Sequence, residues 1–135
     1  MAAGASACSS IGSAKAPPPQ GSLQPGTAQV TINDRALPES HAVKCTPIGS
    51  FTEVTTGGDA AGTMTFVSSD KKLGATSVKI SDLGGFTGSY DAGLQGIADV
   101  TLQGYTYTIR GRAEGFETAN PSSKATGTFS IKVAC

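Results

Sequence analysis

The 135 residues make one domain of ordinary size with room for a tail, since a single core usually organises roughly 100–200 residues. Ten Lys and Arg balance ten Asp and Glu, and this zero formal charge argues against a nucleic-acid partner, whose binding face normally carries a basic excess. Leu, Ile, Val and Phe number 25, just under the roughly 20% where disorder becomes a serious alternative, but disorder also expects a high net charge.

The chain opens on an unusual cysteine. Cys8 sits in Ala5-Ser6-Ala7-Cys8-Ser9-Ser10, small residues before a cysteine and Ser-Ser after it, which looks like a bacterial lipobox with Ala5 where Leu is typical. The seven residues ahead of it cannot hold a signal peptide, which needs a basic end and an apolar run of about 7–15 residues. The expectation is a trimmed chain whose Cys8 is the former lipid-attachment site; the alternative is an accidental match. Residues 9–29 then hold four of the seven prolines, one charge (Lys15), and only Ile11 and Leu23 as large apolar side chains. No apolar period of 2 or 3.6 recurs there, so no face can be buried to offset the ordering entropy. Residues 1–29 therefore read as the lipidation site and a disordered Pro/Ser/Gly linker, and residues 30–135 as a β domain. That domain carries 23 of the 25 Leu, Ile, Val and Phe.

From Val30 onward the pattern is alternation, assisted by 18 glycines and 16 threonines that favour turns and strands. Short strands are expected around Val30/Ile32, Val43/Cys45, Met64/Phe66 and Val78/Ile80. Breakers separate them at Ala36–Ser40, Gly57-Gly58, Ser68–Lys72, Gly84-Gly85 and Tyr90–Gly96. Ala98, Val100 and Leu102 then alternate with polar residues, as do Tyr105, Tyr107, Ile109, Gly111 and Ala113. A two-residue loop Gln103-Gly104 joins these runs as a hairpin and pairs Leu102 with Tyr105. A short turn is expected near Glu117–Asn120, stopped by Pro121. Phe129, Ile131, Val133 and Cys135 close the chain with one apolar face. The fold class is all-β: a small antiparallel β-sandwich or partly closed barrel with a disordered N-terminal linker.

Cys45 and Cys135 each fall two residues after a valine on an apolar face, so both side chains are expected to point into the same core. Two reduced core thiols are one reading. A Cys45–Cys135 disulfide is the favoured one if the protein is exported, closing a loop of about 90 residues that contributes about 4–5 kcal/mol in the chain-entropy model.

Catalytic and metal chemistry finds little footing. His41 is the only histidine and sits in the loop-like Pro38-Glu39-Ser40-His41, without a nucleophile elbow beside it. The six aspartates are scattered and match no calcium loop, while Glu114 and Glu117 read as a solvated face. Gly84-Gly85-Phe86-Thr87-Gly88 lacks the lysine and helix of a phosphate loop. No catalytic residue, metal or cofactor is expected, and an envelope hydrolase is the weakest of the readings. The aromatics Phe66, Phe86, Tyr90, Tyr105, Tyr107 and Phe116 belong to the core, or line an apolar slot for an acyl chain.

The segments Val30-Thr31-Ile32-Asn33-Asp34, Val43-Lys44-Cys45-Thr46 and Ser77-Val78-Lys79-Ile80 carry a resemblance to a known family. Tyr107-Thr108-Ile109-Arg110-Gly111, Gly115-Phe116-Glu117-Thr118-Ala119-Asn120-Pro121 and Phe129-Ser130-Ile131-Lys132-Val133-Ala134-Cys135 continue it. Over roughly residues 28–135 the chain resembles the mycobacterial 19 kDa lipoprotein antigen family. The resemblance implies a non-enzymatic antigen, lipid-anchored to the cell membrane on the extracytoplasmic side of the envelope, acylated on Cys8, with Cys45 and Cys135 paired. It further implies that the acylated end engages a host innate receptor. The alternative is an envelope carrier that holds a lipid or glycolipid in an apolar cavity of the β domain. Either way a monomer is expected.

Overall fold

A computed structural model of the chain describes residues 22–70 and 72–135. Cys8 and the linker expected ahead of residue 22 lie outside them. The described residues form ten strands: β1 (Ala28–Ile32), β2 (Arg35–Ala36), β3 (Val43–Ile48), β4 (Phe51–Gly57), β5 (Gly62–Ser68), β6 (Gly74–Leu83), β7 (Phe86–Asp91), β8 (Ile97–Gln103), β9 (Thr106–Glu117) and β10 (Asn120–Ala134). All pair antiparallel in one sheet ordered β2-β1-β10-β9-β7-β6-β5-β4-β3, not closed into a barrel. The sheet forks at β9. One edge of this strand pairs with β8 over Thr106–Arg112 and with β7 over Glu114–Glu117.

The terminal strand follows the alternation read from its residues. Phe129, Ile131 and Val133 are buried, and a row of apolar partners runs Val30–Ile131–Ile109–Val100 across β1, β10, β9 and β8. Packing reaches back before residue 30: Thr27 and Ala28 are buried, and the Gly26 N–H donates to the Ala134 carbonyl at 2.8 Å. The Phe86 ring lies over two glycines, Gly88 of β7 and Gly127 of β10. An added methyl at Gly127 would stand 2.8 Å from the ring, so neither strand can carry a side chain there without moving it.

Three expectations need correction. The β8–β9 loop is Gly104-Tyr105, one residue later than expected, with Gln103 opposite Thr106 and Leu102 opposite Tyr107. Gly104 takes φ +63° at the first turn position, where the polypeptide favours glycine, and Tyr105 is left at the tip, 78% exposed. The second correction concerns β5: Met64 and Phe66 face outward, while Thr63, Thr65 and Val67 face the core. Threonine is acceptable inside because its hydroxyl finds a partner; Thr56 and Thr63 bond each other at 2.8 Å. Third, β4 and β7 form where no strand was anticipated, and β10 starts at Asn120 after a tight turn at Thr118-Ala119.

One core hydroxyl is an exception. Thr65 Oγ1 is fully buried without a hydrogen-bond partner. An unpaired buried polar group costs about 1–3 kcal/mol, so Thr65→Val is expected to raise stability by roughly 1 kcal/mol, read as a higher urea midpoint at unchanged m-value. A lower midpoint would show that the hydroxyl has a partner in solution.

Candidate functional site

The disulfide joins Cys45 of β3 to Cys135, which follows β10, across 90 residues with the Cα atoms 5.8 Å apart. These strands stand far apart in the sheet order, so the bond fastens the β3 edge to the β1–β10 side and holds the curled sheet over its core. Backbone bonds assist nearby: Ala28 and Ser40 exchange N–H and carbonyl contacts at 2.8 and 2.9 Å, and Gly57 N–H reaches the Ala42 carbonyl at 2.9 Å. One of the two cysteines faces the core as expected: Cys45 stands opposite the buried Val54. Cys45 is half-buried against the core, and Cys135, just past the end of β10, is exposed.

The aromatics expected to share core or slot are divided among three places. Phe86 and Tyr90 are buried, Tyr90 donating to the Ala75 carbonyl at 3.2 Å, and Tyr107 is half-buried against the core opposite Val133. Tyr105 stands at a hairpin tip. Phe66 and Phe116 lie on the outward face, where with Met64 they wall a groove of about 420 Å³. Its floor is short, made by Ser77, Ser89, Gly88 and Gly115, and its rim carries Lys79, Asp91 and Glu114. Cross-strand pairing explains the grouping: Met64 stands opposite Lys79, Lys79 opposite Ser89, and Ser89 opposite Glu114. No signal within one strand announces this groove, because its lining comes from four strands, β5, β6, β7 and β9. Gly111 of β9 lies against the β8 backbone, with the Ile97 carbonyl 1.9 Å from where a methyl would stand.

His41 is exposed, as are Glu114 and Glu117; Thr126 donates to Glu114 Oε1 at 2.8 Å. Among the described residues no three His, Cys, Asp or Glu gather as a metal-binding group, and no helix is long and apolar enough to cross a membrane.

A disulfide-clasped all-β domain of this kind, behind a cysteine with lipobox-like surroundings, is the architecture of a lipoprotein's folded part. The family profile described as Mycobacterium 19 kDa lipoprotein antigen matches residues 21–135. A protein of Mycobacterium avium subsp. hominissuis with a lipoprotein designation is 38% identical over 110 residues, covering 81% of this chain and 76% of its own length. Lipoprotein LpqH of Mycobacterium tuberculosis is 31% identical over 115 residues, covering 82% of this chain and 72% of its own. Lipoprotein LpqH of Mycobacterium avium is 32% identical over 108 residues, covering 79% and 67%. The chain belongs to the Mycobacterium 19 kDa lipoprotein antigen family.

Proposed function

We propose that this protein is a non-enzymatic surface antigen held on the extracytoplasmic side of the mycobacterial envelope by an acyl anchor on Cys8. Its acylated end is what a host innate receptor recognises. Membership of the lipoprotein antigen family carries this reading, and the Cys45–Cys135 bond supports it, because disulfides persist in exported proteins and are rare in reducing compartments. One acyl chain gives only marginal, reversible membrane binding, so stable anchoring calls for two chains or a second contact. Expressed behind an intact lipoprotein signal, Cys8→Ala is expected to release the protein from the membrane fraction and to abolish receptor stimulation. Full stimulation by the unacylated variant would defeat the receptor part of the proposal, and unchanged retention would defeat the anchor.

A second reading, a carrier of lipid or glycolipid, draws support from the groove between Phe66 and Phe116. Two aromatic faces over a floor with serine hydroxyls, and a rim of two carboxylates and one ammonium, suit an amphiphile that has both apolar and hydroxylated parts. Native mass spectrometry of protein extracted from envelope is then expected to show a bound amphiphile that Phe66→Ala/Phe116→Ala loses. Ligand-free wild-type protein would count against a carrier.

A further inference from the structure

The start of the described chain, one hairpin tip and the disulfide share one pole of the domain. Ser22 Oγ donates to the Gln103 carbonyl at 3.3 Å, and the Leu23 N–H donates to Thr106 Oγ1 at 3.1 Å. Gln103 and Thr106 are the pair that closes the β8–β9 hairpin, and the Cys135 N–H donates to the Tyr105 carbonyl between them at 3.1 Å. Two large apolar side chains stand out at this tip, Tyr105 at 78% and Leu102 at 47% exposure. A groove of about 560 Å³ runs from Gln103 along the outward face and carries Lys132 and Arg110. Asp99 stands opposite Arg110, while Lys132 stands opposite Thr108, two residues nearer the tip along β9.

From these positions we infer that this pole is the membrane-facing end of the domain: the β8–β9 tip rests on an anionic lipid surface, with Tyr105 and Leu102 in the headgroup layer and Lys132 against lipid phosphate. The inference rests on the reading of Cys8 as the anchor. Cys8 is 14 residues ahead of Ser22, a reach of at most about 50 Å, so an anchor there confines the domain to the membrane neighbourhood. The chain meets the fold beside the tip, and this pole is therefore the one an anchored chain brings closest to lipid. Such confinement raises the effective concentration of the tip at the surface to the millimolar range, where a contact too weak to bind alone is populated. Tyrosine suits the place, since its ring is apolar and its hydroxyl stays wet.

The test uses the full chain. With Cys45 and Cys135 bonded, Cys8 is the remaining thiol, and it can be coupled to a maleimide lipid in nanodiscs of equal parts phosphatidylcholine and phosphatidylglycerol. With a nitroxide on the lipid headgroups, amide broadening is expected to centre on residues 102–106, and Leu102→Ser/Tyr105→Ser is expected to spread it over the surface. In the lipid-coupled chain, Lys132→Gln is expected to lower the ratio of tip-contacting to free orientations about five-fold, read as weaker broadening at residues 102–106, the effect of one basic side chain at an anionic surface. Broadening centred on Leu94 and Ile97, at the other end of the β8 segment, would overturn the proposal. So would an even distribution, or a profile that the double variant leaves unchanged. The lipid is attached chemically, so the result stands apart from whether the bacterium acylates Cys8, which the retention of Cys8→Ala reads separately.

Discussion

Replacing Cys45 and Cys135 together by alanine is expected to lower the unfolding free energy by about 4–5 kcal/mol, the loop-closure entropy of a 90-residue separation. That is a large share of the roughly 5–15 kcal/mol by which domains are stable. Two structural effects follow. β3 pairs with β4 alone, so its outer edge loses the fastening that holds it to the β10 side. The last residues of β10 lose their covalent stop, leaving the Cys135 N–H bond to Tyr105 to resist fraying. Denaturant unfolding of wild-type, reduced and doubly substituted protein measures the first effect. Hydrogen exchange, fastest in β3 and around Val133, measures the second. A reduced protein as stable as the oxidised one would mean that the clasp contributes no stability.

Ile131→Ala is expected to cost about 2–5 kcal/mol, because a fully buried branched side chain leaves a cavity that its neighbours cannot fill. Ile131 is 0% exposed and sits in β10 between Val30 of β1 and Ile109 of β9, so three strands border the gap. The paired control is Ile48→Ala in β3, where the side chain is 50% exposed and the change is expected to stay within about 0.5 kcal/mol. Urea midpoints at equal m-value give the comparison. Similar losses at the two sites would place the core elsewhere.

The sheet was legible where the alternation was pure. Phe129, Ile131 and Val133 announce one face of β10, and Val78 with Ile80 announces that of β6, because every second side chain is apolar and the intervening ones are polar. Legibility failed where threonine replaced the apolar set. In β4 the inward residues are Val54 and Thr56, and in β5 they are Thr63, Thr65 and Val67, while Met64 and Phe66 look out. A strand with apolar side chains on its outer face and hydroxyls on its inner one reads backwards from composition. Thr63 finds its hydroxyl partner, Thr56, on the next strand, which no local pattern contains. The hairpin register slipped for a related reason: Gly104 can serve as either loop residue, and only the pairing of Leu102 with Tyr107 selects the first position. Cys45 and Cys135 were legible as a pair, and Cys45 as a core-facing residue, but the exposure of Cys135 was not, since it lies past Ala134, the last residue of β10 paired with β9. The groove between Phe66 and Phe116 was illegible altogether, being assembled from strands that only the fold brings side by side.

The outward rows of this sheet bear on how an antibody would meet the protein. Thr46, Glu53, Phe66, Ser77 and Asp91 stand opposite one another in succession, one residue from each of β3, β4, β5, β6 and β7. A paratope lying across that row reads a discontinuous epitope whose parts are neighbours only while the strands stay in register. Short linear peptides from any one strand carry a single letter of it.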